Sequence, residues 1–231
     1  MGFDEIYETI RELENKLLTL SLERTPTDYA MTQEKLGNIY SNLASLKNSQ
    51  DCCEKAAAAY QEALKVYTND RFPMDYAMTN NNLGNVYRKC TKMDKKKITL
   101  NAAIECYKKA LTIYTKETHP IDYAMTLYNI GITHNTLAEF DDKIGNCKKA
   151  IQAYEDALEI HTLIQYPLQY ASTQNDLGTA YSTLAQIENR QVNKAKAIDA
   201  YTEALKIFNE PDYPEISQLI KNNLERIQAL E

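Results

Sequence analysis

Apolar and small residues recur along this chain at one spacing. Leu36-Gly37 and Tyr40 share a face of a helix-period segment, and the trio returns as Leu83-Gly84 with Tyr87, Ile130-Gly131 with His134, and Leu177-Gly178 with Tyr181. A second stripe, Ala56, Tyr60 and Ala63, returns as Ala103-Tyr107-Ala110, Ala150-Tyr154-Ala157 and Ala197-Tyr201-Ala204. Polar connections such as Lys47-Asn48-Ser49-Gln50-Asp51 separate the two stripes. The copies stand 47 residues apart, the separation that also divides Pro26, Pro73, Pro120, Pro167 and Pro214. A fixed period of this size marks an array of one supersecondary unit, each copy burying its apolar face on its neighbours. The pattern predicts four helix-turn-helix hairpins over 26–72, 73–119, 120–166 and 167–213. A cap helix over 4–22 leads them and another over 215–230 closes them, giving one all-α domain over 1–231.

Local punctuation agrees with this division. In Thr25-Pro26-Thr27-Asp28 the threonine is expected to cap, the proline suits the first helical position, and the aspartate meets the positive end of the helix dipole. Asp75 and Asp122 fill the same slot, so these carboxylates read as helix-start residues rather than as acid and base catalysts. A mid-helix glycine costs about 1 kcal/mol relative to alanine, so its return in every copy implies a close helix crossing.

The Leu-Gly pair, the aromatic three residues after the glycine, and the later Ala-x-x-x-aromatic-x-x-Ala block together resemble the tetratricopeptide repeat family. The likeness covers nearly the whole chain in four copies. It implies a right-handed α-α superhelix. Against the usual repeat of about 34 residues, seven extra residues separate Leu36 from Ala56 and six more separate Ala63 from Leu83. Insertions near two helical turns lengthen both helices without rotating their buried faces, so the chain resembles a long-helix variant. Gln33, Asn80, Leu127 and Gln174 stand where the family often has tryptophan.

The resemblance also implies that the first helix of each hairpin lines a concave groove. Carried over copy by copy, the peptide-binding candidates are Asn38, Asn82, Asn85, Arg88, Lys89, Asn129, Asn135 and Asn175. Thr179, Ser182 and Thr183 of the fourth copy and Asn222, Asn223 and Arg226 of the closing helix line the same face. A side-chain amide offers two donors and an acceptor, which suits the alternating groups of an extended backbone. Arg88 and Lys89 suit a carboxylate. Over the four full copies, three bases (Lys35, Arg88, Lys89) face two acids (Glu34, Asp176), leaving the groove near +1 in a chain of net charge -6. The family's heat-shock chaperone clamp needs a lysine where Glu34 stands, so that clamp matches poorly.

Composition narrows the alternatives. A pI near 5.3 argues against phosphate backbones and anionic lipid as main ligands, and Lys92, Lys95, Lys96 and Lys97 read as a solvated loop. The first ten residues hold Asp4, Glu5 and Glu8 and no apolar run, so neither a signal peptide nor a membrane span is expected, and a cytoplasmic setting is. Five cysteines without a C-x-x-C pair indicate neither a disulfide framework nor a zinc site. Cys53 and Cys147 share one slot and read as buried packing residues. The three histidines fall in different aromatic slots of the repeat, which predicts packing rather than metal ligation. No phosphate loop, nucleophile elbow or metal-ligand pair is visible, so neither catalysis nor a cofactor is expected. The reading is a non-enzymatic module for a protein or peptide ligand. Its alternatives are a self-associating scaffold and a sensor or adaptor arm of a larger effector.

Overall fold

Proline sets where each first helix begins. The computed structural model describes residues 3–47, 49–89, 95–209 and 211–230; Asn48 of the predicted connection, Cys90, and Lys92 of the basic loop lie outside them. The chain divides into two compact units, Met1–Tyr114 and Thr115–Glu231. The first holds α1 (Phe3–Leu17), α2 (Pro26–Lys47), α3 (Gln50–Ala63), α4 (Pro73–Lys89) and α5 (Lys96–Ala110). The second holds α6 (Pro120–Leu137), α7 (Lys143–Leu158), α8 (Pro167–Ala185), α9 (Arg190–Leu205) and α10 (Pro214–Gln228). No strand occurs among the described residues. Within each unit every helix packs on its neighbours in sequence, and first helices also touch one another, α2 with α4 and α6 with α8. This is the packing of an α-solenoid. The leading helix stops at Leu17, five residues short of the expected 22.

The helix starts differ from the sequence expectation. The Thr25 hydroxyl accepts from the Ser21 N–H at 3.0 Å and donates to the Ser21 carbonyl at 3.2 Å, so it closes the turn before α2 instead of capping it. His119, Tyr166 and Tyr213 precede α6, α8 and α10 without a side-chain cap bond. What orders these starts is the linker. The N–H groups of Phe72, His119, Tyr166 and Tyr213 each donate to the carbonyl four residues back, at 2.9–3.0 Å. Thr115 and Thr162 add a hydroxyl that accepts from the N–H three residues on, at 3.2 Å in both cases. Asp28, Asp75 and Asp122 sit in the first turns of α2, α4 and α6, where their charge favours the dipole.

One contact repeats in every hairpin. Tyr60, Tyr107, Tyr154 and Tyr201 are at most 2% exposed, and each ring packs directly on the glycine of its own first helix. A Cβ built on Gly37, Gly84, Gly131 or Gly178 would stand 2.4–2.8 Å from a ring carbon of the paired tyrosine. No side chain fits there, which is why the helix keeps a residue that costs it about 1 kcal/mol. Alanines at 0% exposure, such as Ala56, Ala63, Ala103 and Ala110, let the second helix come near enough to seat the ring.

Neighbouring hairpins are tied by a second slot. The Tyr40 hydroxyl donates to Glu14 Oε1 at 2.8 Å, Gln61 Nε2 donates to the Tyr87 hydroxyl at 2.6 Å, and the Tyr181 hydroxyl donates to Glu155 Oε1 at 2.6 Å. Burial, followed by the glutamate that accepts its proton, raises the pKa of Tyr40 and of Tyr181 above the ordinary phenol value. Both stay neutral donors. Cys147 is a free, fully buried thiol, as its slot predicts. Cys53 is buried as well, but it is disulfide-bonded, which corrects the expectation that the cysteines form no disulfide; a repeat slot fixes burial and not what the side chain meets.

Gly84→Ala should lower stability by about 1–3 kcal/mol despite alanine's better helix propensity, because overpacking outweighs the propensity gain. In a Tyr107→Leu background the same change should cost far less. Equilibrium denaturation of the four proteins of this cycle measures the coupling, and additive losses would remove the interlock.

Candidate functional site

A buried phenol must place its hydroxyl, and the first helix supplies the partner. The Tyr60 hydroxyl donates to Asn38 Oδ1 at 2.6 Å, and the Tyr107 hydroxyl donates to Asn85 Oδ1 at 2.9 Å while accepting from Arg88 Nε at 3.4 Å. In the fourth hairpin Tyr201 meets Thr179 Oγ1 at 3.2 Å. Thr179 gives its own proton to the Asn175 carbonyl at 3.1 Å, so the phenol is the donor there. The two cradle slots one helical turn apart thus read Asn38 and Ser41, Asn85 and Arg88, Ile132 and Asn135, Thr179 and Ser182.

This places the sequence candidates. In the first unit the candidates fall in two groups: Asn82 Nδ2 also donates to Asn38 Oδ1 at 3.3 Å, while Asn85 and Arg88 meet at the Tyr107 hydroxyl. The amide oxygens of Asn38 and Asn85 therefore serve the core. The sequence pattern offers these amides to a ligand; the buried phenol beneath each one claims its oxygen instead. Lys89 is exposed at the end of α4. In the second unit Asn129, Asn135 and Asn175 are half-buried. Asn175 Nδ2 donates to Asp176 Oδ1 at 3.2 Å, and Asp176 Oδ2 accepts from the Tyr128 hydroxyl at 2.8 Å, which ties α6 to α8 across this face.

Where the cradle residues are small, the face opens. Thr179 and Ser182 are shorter than the asparagines and arginine of the first unit, and a cavity of about 460 Å³ stands beside them, between α8, α9 and α10. Thr183, Gln186, Asn223, Arg226 and Tyr201 complete its polar wall. Burial raises the Tyr201 pKa above the ordinary phenol value, while the nearby Arg226 charge works the other way. Lys194 Nζ donates to the carbonyls of Gln228 and Leu230 at 2.8 and 2.6 Å, satisfying the last turn of α10 and fixing it beside the cavity. Thr183 gives its proton to the Thr179 carbonyl at 3.0 Å, so the donors left to meet a carboxylate are Arg226, the Gln186 and Asn223 amides and the Ser182 hydroxyl. Thr179, Ser182, Asn223 and Arg226 were legible as face residues; that they enclose a cavity was not.

The histidines go to separate partners. His134 Nδ1 bonds Asn146 Oδ1 at 2.9 Å, His119 Nδ1 meets Thr118 Oγ1 at 2.9 Å, and His161 is buried beside Thr173. Among the described residues no group of three or more His, Cys, Asp or Glu could hold a metal ion. No described helix is long and apolar enough to cross a membrane.

The class that this fold defines is an all-helical repeat protein, a build generally used for protein interaction or scaffolding. A crystal structure of BtubC (BKLC) from P. vanneervenii is similar to it at a TM-score of 0.51, with 16% identity over 98% of this chain and 89% of that one. At that identity the likeness shows the fold alone. No protein-family model matches the sequence, and no curated protein does.

Burial lowers the His161 pKa below the ordinary 6.5. Below about pH 6.5 the unfolded chain binds a proton that the folded chain resists. This contribution to stability is complete above 6.5 and is lost as pH falls toward the folded-state value. His161→Phe should accordingly show a shallower stability decline between pH 7 and pH 5 in urea titrations; equal slopes would contradict the burial.

Proposed function

We propose that this chain is a non-enzymatic interaction module of tetratricopeptide-like build that takes an extended peptide segment on its first-helix face. The observation that carries the reading is the 460 Å³ polar cavity of the second unit, where Arg226 shares the lining with Ser182 and the Gln186 and Asn223 amides. An acidic side chain or a peptide carboxyl group fits this donor set. In the first unit Asn38 and Asn85 keep their amide protons for a peptide carbonyl after their oxygens are used by tyrosine, and Lys89 is exposed at the end of α4. The repeat build supports an interaction role, and the donor set supports an acidic ligand.

Selection of an acidic peptide library on the purified chain, followed by fluorescence anisotropy, tests this. Arg226→Glu should weaken a selected peptide by roughly 10- to 100-fold, as expected for loss of a charge-assisted hydrogen bond of about 1.5–3 kcal/mol. Unchanged affinity would remove the cavity from the binding face. Asn85→Ala is a poor probe, because it also strands the Tyr107 hydroxyl.

A second reading, self-association as a scaffold, is favoured by the last helix. Ile216 and Leu219 of α10 are 40% and 57% exposed, one turn apart. Light scattering should then give a mass that rises with concentration and falls back to the monomer in Leu219→Lys. A constant monomer mass would end this reading.

A further inference from the structure

A second cavity, of about 170 Å³, lies at the starts of α6 and α8, with His161 in its wall. Met125 and Leu168, 42% and 45% exposed, form its apolar rim, and Tyr128, Gln169 and Ser172 complete the lining. His161 itself is only 2% exposed.

The hydrogen bonds fix the state of that imidazole. Thr173 gives its one hydroxyl proton to the Gln169 carbonyl at 2.7 Å. It can therefore meet His161 Nδ1, at 3.2 Å, only as an acceptor. Nδ1 carries the ring proton and Nε2 is a bare acceptor. Nε2 is buried and has no hydrogen-bond partner in the protein, a condition that proteins rarely leave unmet. Tyr128 does not supply the bond, because its hydroxyl proton goes to Asp176 at 2.8 Å.

The repeat shows what is missing. The slot of His161 holds Tyr67, Tyr114 and Phe208 in the other hairpins, and Tyr67 reaches Glu34 through its hydroxyl at 3.3 Å. An imidazole is shorter than a phenol. The surroundings are aromatic: the Tyr128 and Tyr166 rings stand edge-on to His161 at centroid distances of 6.5 and 6.4 Å, an arrangement that favours a further ring, and the Met125 thioether adds to it.

We propose that this cavity binds an aromatic ring carrying a terminal hydrogen-bond donor, such as a phenol or an indole, with the donor bonded to His161 Nε2. The ring enters past Met125 and Leu168, and because Nε2 is buried the cavity wall must give way for the donor to reach it. A bare acceptor disfavours anions, and a single histidine among apolar groups does not hold a metal. A free phenol and a tyrosine side chain present the same chemistry, so the inference does not depend on whether the first-helix face takes a peptide.

The test is a titration of the full chain, with histidine rings labelled with ¹³C and ¹⁵N, followed by NMR at the His161 signals. p-Cresol should bind saturably and about tenfold tighter than toluene, which has the same ring without the donor; a tenfold gap is the scale of leaving one buried acceptor unmet. His161→Phe, the residue this slot already accepts at Phe208, should abolish the preference while keeping the fold. His161→Tyr should fill the space and exclude both probes. No binding, equal binding of p-cresol and toluene, or a preference that survives in His161→Phe would each overturn the site. Gly-Tyr-Gly binding as well as p-cresol, with Gly-Phe-Gly weaker, assigns the ring to a peptide. Binding of p-cresol alone assigns it to a small molecule.

Discussion

The close approach of a tyrosine ring to a mid-helix glycine is the constraint on which each hairpin depends. With at most 2% of the ring exposed and no room for a Cβ beneath it, the crossing point of the two helices is set by one pair of residues. The alanines around the ring permit that approach. Leu36, Leu83, Ile130 and Leu177, all buried beside their glycines, close the core around it.

Burying a phenol creates an obligation at its far end, and that obligation shapes the exposed face. Two hairpins meet it with asparagine, whose oxygen accepts the phenolic proton, and one meets it with a threonine. The polar character of the first-helix face is thus partly a consequence of the core below it. A small cradle residue leaves space for a ligand, while a large one fills it. Site and core are two ends of the same tyrosine.

Much of the fold was legible because the period is rigid. Prolines placed the starts of α2, α4, α6 and α8, and the Leu-Gly and Ala-Tyr-Ala stripes placed both faces of each hairpin. What the period could not give was the partner of any polar atom. Asn38 looked like a ligand-binding amide because the sequence does not show that Tyr60 points its hydroxyl there. Thr25 looked like a cap because a turn closed from Ser21 leaves the same composition. The cavity beside His161 was hidden for a related reason: the slot was read correctly as aromatic packing, but the difference in length between imidazole and phenol becomes visible only when the neighbours are in place. The disulfide at Cys53 lies in the same class of facts.

The spacing of the interlock also bears on how the chain reaches its fold. Glycine and tyrosine are 23 residues apart in all four hairpins, and the hydrogen bond from Tyr128 to Asp176, which joins adjacent hairpins, spans 48. Contacts this local need little loop closure before they are rewarded, which favours rapid assembly. A ring can find its glycine while the next copy is still unfolded, and an error in one copy has few distant contacts through which to spread.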